Sequence, residues 1–195
     1  MPLPWAILYL ERQDGSVPAQ RFLAMCPIAV RARILAVLDA VAAAPPPAFS
    51  GGGFWEAMHA PMSGYHEVRV QGQPRGAARL NYRLFCYLDR QGPGLPGEAI
   101  VLLDGRAKAL RSALSEGDYA AVGELGAEYR ASNPRRIAIR YSPGQQVPAS
   151  REYLCDGTGT ACPHSRRFSS GDGFPELPEG CDGTAWRPRY RAARD

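Results

Sequence analysis

The sequence predicts an α+β fold: two helices on one face of a largely antiparallel sheet, then a long extension without regular structure. Three observations carry this expectation. Residues 65–71 and 78–88 alternate apolar and polar side chains with period two, and "QGQPRG" joins them as a Gly/Pro turn. Residues 27–44 place Ile34, Leu35, Leu38, Val41 and Ala42 at helical spacing. From Ala131 onward the periodicity lapses, and the last 65 residues hold seven prolines and seven glycines.

Taken in order, "WAILYL" (5–10) is long enough for one strand, and "QDGS" breaks it. "SVPAQRFLAM" reads as a short helix, with Ser16 as its cap and Pro18 in its first turn, where a missing N–H costs little. Pro27 restarts the chain into the second helix, and "PPP" at 45–47 ends it. Residues 48–64 read as loop. The hairpin follows. Its first strand sets Val68 and Val70 on a face with His66, and Tyr65, Glu67 and Arg69 on the other. Its second strand sets Leu80, Tyr82, Leu84, Cys86 and Leu88 against Arg79, Asn81, Arg83, Phe85 and Tyr87. "AIVLLDG" (99–105) is a continuous apolar run, read as a central strand. Ser115 and Asp118 stand at capping-box spacing before a last helix, in which Tyr119, Val122, Leu125 and Tyr129 repeat. The order is β-α-α-β-β-β-α. The aliphatic face of the hairpin belongs under the helices, so His66 reads as a buried, hydrogen-bonded histidine. The opposite face should lie open and bear arginine and tyrosine.

The 195 residues fit one domain, 1–130, with the extension 131–195. Net charge is +4, too mild by itself to imply nucleic acid, but residues 66–111 hold eight basic side chains against four acidic ones. The chain has 22 arginines and a single lysine, Lys108, in "LLDGRAKALRS". No segment has the roughly 20 apolar residues of a membrane span, and "MPLPWAILYLER" lacks a charged leader region, so a cytoplasmic location is expected. Five cysteines are an odd number for a disulfide framework. Cys155, Cys162, His164 and Cys181 could be set out as zinc ligands, but six residues separate the first two cysteines. The usual spacing is two to four, so they read as inert thiols, and no metal or cofactor is expected. No internal repeat stands out.

"GYHEVRV", "NYRLFCYL", "AIVLLDGRAKALRS" and "DYAAVGELGAEYRA", in that order, resemble the RelE/ParE toxin superfamily, and within it the HigB-like toxins of type II toxin–antitoxin systems. The resemblance implies a RelE-like β-α-α-β-β-β(-α) fold over 1–130. It also implies a cognate antitoxin, commonly a helix-turn-helix protein, and ribosome-dependent cleavage of mRNA. Glu67 and Arg69 match the family's E-x-R strand, Tyr82 and Arg83 its YR pair, and Lys108 its basic cluster. Where the family often has adjacent basic residues, Ala107 and Ala109 flank Lys108.

RNA cleavage by internal transfer from the 2′-OH needs charge around the phosphate and a proton acceptor and donor. Arginine gives permanent, bidentate phosphate contacts, whereas a lysine crowded by cations can also exchange a proton. The expected catalytic set is therefore Arg83 and Arg111 on the phosphate, Lys108 for charge or proton transfer, and Tyr87 for stacking or orientation. Arg69, Arg79, Asn81 and Arg106 are expected to bind substrate. Glu67 with Arg69 can also be read as a simple same-face ion pair, and His59, in a loop, has no role. The partners expected are the antitoxin, the ribosome and mRNA, and no membrane. Two alternatives stand beside this: a ParE-like topoisomerase inhibitor that does no chemistry, and a degenerate member without toxicity.

Overall fold

A computed structural model describes residues 4–48, 52–95, 97–157, 162 and 164–189. The chain divides into two compact units, Met1–Ile137 and Ala138–Asp195. Within the first, strands β1 (Ala6–Tyr9), β2 (Trp55–Ala57), β3 (Tyr65–Gly72), β4 (Leu80–Asp89) and β5 (Ala99–Ala109) form one sheet in the order β1-β5-β4-β3-β2. Strand β1 runs parallel to β5, and the other pairs are antiparallel. Helices α1 (Pro18–Met25) and α2 (Ile28–Ala43) follow β1, and α3 (Glu116–Ala131) follows β5. The mixed α+β class agrees with the sequence reading, and the observed order β-α-α-β-β-β-β-α has one strand more than expected. The short β2 falls in the expected loop, since three residues are too few to show alternation.

Helices α1 and α2 cover the aliphatic face. Phe22, Leu23, Val30, Ile34 and Leu38 pack with Val68, Val70, Tyr82, Leu84, Cys86, Ile100 and Leu102 in one buried cluster. Each such side chain stabilises the fold by about 1.5–3 kcal/mol when fully withdrawn from water. The cap of α1 differs from expectation: Val17, not Ser16, is the N-cap, and no side chain caps it. Pro18 lies in its first turn, and its missing N–H leaves one fewer donor to satisfy. The α3 cap agrees with expectation, because Ser115 and Asp118 form the reciprocal capping box.

One irregularity directs the rest. Across β4 and β5, Phe85 pairs with Asp104 and Cys86 with Leu102, so Leu103 has no partner. Ahead of this bulge Ile100 and Leu102 join the helix-covered core; beyond it, Gly105 lies against the Phe22 ring. Asp104, Arg106 and Lys108 are thereby carried to the opposite face, level with Phe85, Arg83 and Asn81. The strand also runs past Gly105 to Ala109, so the basic segment is part of the sheet and not a loop after it.

The opposite face is only partly open. Helix α3 lies over its Tyr65–Tyr87 end, where Tyr119 meets the Phe85 ring at 6.4 Å and Tyr129 meets Tyr87 at 6.0 Å. Close approach requires Gly126: a Cβ there would lie 2.2 Å from the Tyr65 hydroxyl. Tyr129 is fully buried and donates to the Asp89 carboxylate at 2.9 Å, which also accepts from Arg135 Nε at 3.1 Å. Burial, then the hydrogen bond to Asp89, pushes the Tyr129 hydroxyl pKa up.

The second unit corrects the expectation of a mostly disordered extension. Strands β6 (Arg151–Cys155), β7 (Ser165–Phe168) and β8 (Trp186–Pro188) form an antiparallel sheet in the order β7-β6-β8. Val147, Tyr153, Phe168, Phe174 and Trp186 make its buried centre, with the Tyr153 and Phe174 rings 4.9 Å apart. Strands of three to five residues separated by long loops show too few alternations to be read, and the aromatic side chains that form the core are scattered among glycines and prolines. Residues 190–195, also assigned to the extension, lie outside the described residues. Among the described residues no helix is long and apolar enough to cross a membrane.

Candidate nucleic-acid interface

Strands β3, β4 and β5 bring three arginines into one row. Arg69 stands opposite Arg83, and Arg83 opposite Arg106. Directly opposed like charges destabilise a sheet, so the row needs compensation. It comes largely from the neighbouring row, where Glu67, Phe85 and Asp104 are aligned. Glu67 is 2% exposed. Its Oε1 accepts from Arg69 Nε at 2.6 Å, and Arg83 Nη1 donates to Oε1 at 3.1 Å and to Oε2 at 3.0 Å. A buried carboxylate persists because its charge is paired on two sides. Arg69 also meets Glu56 at 2.6 Å, a contact supplied by β2. Arg106 pairs with Asp104 and, at 3.1 Å, with Asp118. Hydrogen bonds from Ser115, then the Arg106 guanidinium, hold the Asp118 carboxyl below its ordinary pKa.

Lys108 lies in the next row, opposite Asn81. Its ammonium donates to the Ser112 carbonyl, and Asn81 Nδ2 donates to the Leu110 carbonyl at 3.2 Å. Both bonds fold the turn after β5 back onto the sheet edge. Desolvation, then the positive charge of Arg83, lowers the Lys108 pKa; Glu67 opposes this, and Arg69 adds a smaller lowering.

Two hollows meet at this row. The larger, about 550 Å³, is lined by Arg33, Phe54, Arg69, Gln71, Arg79, Asn81 and Arg83, with Gly53 and Val70, and no carboxylate is among them. The smaller, about 240 Å³, lies between the segment Glu56–Met62 and Glu67, Arg69, Arg83 and Tyr119. Arg69 and Arg83 line both. Arg83 also keeps a buried Nε–H without a hydrogen-bond partner. An unpaired buried donor costs about 1–3 kcal/mol, a cost that an acceptor entering from outside would remove.

Of the residues the sequence singled out, Arg69, Arg79, Asn81 and Arg83 come together in one groove. Arg106 and Lys108 share their face, and Arg111 is exposed in the turn beyond. Tyr87 is placed elsewhere. It lies among Tyr65, Tyr129 and Arg130 under α3, not on an open surface, because the helix crosses that end of the sheet. His66 is on the core side as expected, stacked on Trp55 at 5.0 Å, but its buried Nδ1 has no hydrogen-bond partner. Burial lowers its pKa.

Sequence reasoning gave no part to Phe54, Arg33, His59 or Tyr119. Phe54 is 55% exposed beside the groove, and an aromatic ring after three glycines was the available signal. Nothing in the spacing of His59 marks its place in the smaller hollow. No family model, curated protein or solved structure matches this chain.

Proposed function

We propose that this chain is the toxin of a type II toxin–antitoxin system. In this reading it is a ribosome-dependent mRNA endoribonuclease that transfers the phosphate to the 2′-oxygen without a metal. The observation that carries the reading is the carboxylate-free groove lined by Arg33, Arg69, Arg79 and Arg83, with the exposed Phe54 ring beside it. Guanidiniums hold successive phosphates, and a ring beside them stacks an unpaired base.

In the reaction the 2′-oxygen attacks the adjacent phosphorus and the bond to the 5′-oxygen breaks. A 2′,3′-cyclic phosphate and a 5′-hydroxyl result. Arg83, with Arg69 and Arg79, balances the extra charge on the phosphorane. Lys108, one row away and with its pKa lowered by desolvation and the Arg83 charge, accepts or returns a proton. Arg106 is occupied by two carboxylates and serves to position the row, while Arg111 adds charge at the rim. Phe54 takes the stacking role first considered for Tyr87. A cognate antitoxin neutralises the groove.

Primer extension on an mRNA incubated with the purified chain, with and without ribosomes, tests this. Cleavage that requires ribosomes is expected; an intact message in both samples removes the reading.

A second reading rests on the carboxylates that already clamp Arg69, Arg83 and Arg106. They suit a surface that binds without cleaving, as in a ParE-like topoisomerase inhibitor or an inactive relative. Pulse labelling after induction separates these outcomes. Early loss of methionine incorporation marks the nuclease, early loss of thymidine incorporation marks the inhibitor, and neither marks the inactive chain.

A further inference from the structure

We propose that the second unit is a zinc module, in which the thiolates of Cys155, Cys162 and Cys181 hold the ion and His164 closes the tetrahedron. The three sulfurs lie within 4.8 Å of one another, with Cys162 and Cys181 at 3.4 Å. Zinc–sulfur bonds of about 2.3 Å give a tetrahedral edge of about 3.8 Å, so the sulfurs already span a coordination sphere. A disulfide would bring two sulfurs to about 2.05 Å and leave the third aside.

Two of the three sulfurs accept from backbone amides, while the Cys162 thiol faces the Asp182 carboxylate at 3.3 Å. The His164 amide donates to Cys155 Sγ at 3.1 Å, and the Gly183 amide donates to Cys181 Sγ at 3.4 Å. Amide hydrogen bonds favour the charged sulfur. The two loops are copies of each other, since Cys-Asp-Gly-Thr occurs at 155–158 and again at 181–184. This short repeat corrects the sequence reading, which found none. The loops also pack reciprocally. A Cβ on Gly157 would fall 2.5 Å from Asp182 Oδ1, and one on Gly183 would fall 2.6 Å from Asp156 Oδ1. Asp156 in turn accepts from the amides of Thr184 at 2.7 Å and Ala185 at 2.9 Å.

His164 supplies the fourth ligand because its Nε2 is buried without a hydrogen-bond partner. Among the described residues the group within the 4.8 Å span is the three sulfurs, so the imidazole completes the sphere by turning about its side-chain bonds. Binding releases the thiol protons, and no electron is transferred. Each sulfur comes from beside a different strand: Cys155 ends β6, Cys162 precedes β7 and Cys181 precedes β8. One ion would therefore tie all three strands of a sheet whose buried centre is five side chains. Units of this size commonly need such a staple. The wide spacing between Cys155 and Cys162 had argued against a metal in the sequence, but the fold closes the gap through the second loop.

The test uses the full chain, purified under reducing conditions from zinc-supplemented cells. A single zinc per chain is expected by elemental analysis. Cys155→Ser, Cys162→Ser and Cys181→Ser should each lose it, and Cys26→Ser should keep it. Because these variants could misfold, the metal-stripped wild type is also titrated with Co²⁺. Tetrahedral visible bands with thiolate charge transfer, displaced by Zn²⁺, support the site. His164→Ala should weaken zinc by more than about tenfold; unchanged affinity overturns the His164 assignment. Zinc-free protein that gives no tetrahedral cobalt spectrum, a Cys162–Cys181 disulfide, or an iron–sulfur chromophore overturns the proposal.

Discussion

Arg83 stands directly opposite Arg106, and the two guanidiniums turn to different carboxylates: Arg83 to Glu67, Arg106 to Asp104 and Asp118. The row is thus held as separate ion pairs, and its members should differ in what they contribute.

Glu67 is the buried member, so its loss leaves the Arg69 and Arg83 charges facing each other. Glu67→Gln should lower stability by about 3 kcal/mol. Glu56→Gln breaks only a half-exposed pair with Arg69 and should cost under about 1 kcal/mol. Urea denaturation of both variants is the check; equal losses would mean that Glu67 does not organise the row.

Arg79 lines the groove and is exposed, so Arg79→Ala should leave folding intact and weaken RNA binding. Each phosphate contact with single-stranded RNA contributes about 0.7 to the slope of log K against log salt. Anisotropy of a labelled oligonucleotide across a salt series should show a drop of that size for Arg79→Ala and none for Arg12→Ala, which pairs with Glu128 away from the groove.

Lys108 tests the chemistry apart from the binding. Its pKa lies below that of a free lysine, so raising the pH deprotonates it sooner. If it accepts the 2′-OH proton, cleavage should rise with pH through that lowered value. Lys108→Arg should bind RNA as before yet lose this rising limb, with a rate reduced by about a hundredfold or more. Full cleavage by Lys108→Arg at every pH would leave Lys108 only its charge.

His66 gives a pH dependence of stability with a defined sign. Burial lowers its folded pKa below the unfolded value of about 6.5. The unfolded chain therefore binds more protons as pH falls. The contribution is fully present above about pH 6.5 and is lost as pH falls toward the folded value. His66→Phe keeps a ring against Trp55 and removes the titration. Denaturant midpoints at pH 7.5 and 5.5 should differ less in the variant than in the wild type; equal differences would exclude His66 as a source.

Much of the first unit was legible because its strands are amphipathic. Val68 and Val70 face the helices while Glu67 and Arg69 face away, and alternation reports such a division directly. Alternation could not report Leu103, since a bulge inside a continuous apolar run leaves no mark. Arg106 and Lys108, past the expected strand end at Gly105, read only as a segment flanking the open face, whereas the register sets them within the sheet beside Arg83 and Asn81. Tyr87 misled because its exposure depends on where α3 crosses that face, a tertiary matter that no local pattern encodes. The second unit was missed for the opposite reason. Its order comes from scattered aromatic side chains and from cysteines distant in sequence. The repeated Cys-Asp-Gly-Thr was the signal on view.

The unpaired Leu103 makes the interface depend on counting. Substitutions along β5 can weaken the arginine row, but pairing Leu103 opposite Phe85, which would straighten the strand, would exchange the two sides of everything downstream. Arg106 and Lys108 would then point toward Phe22, and Gly105 and Ala107 would replace them beside Arg83. Descendants of this chain can vary the residues of the strand gradually, whereas loss of the bulge with Leu103 retained would remove the basic surface in a single step.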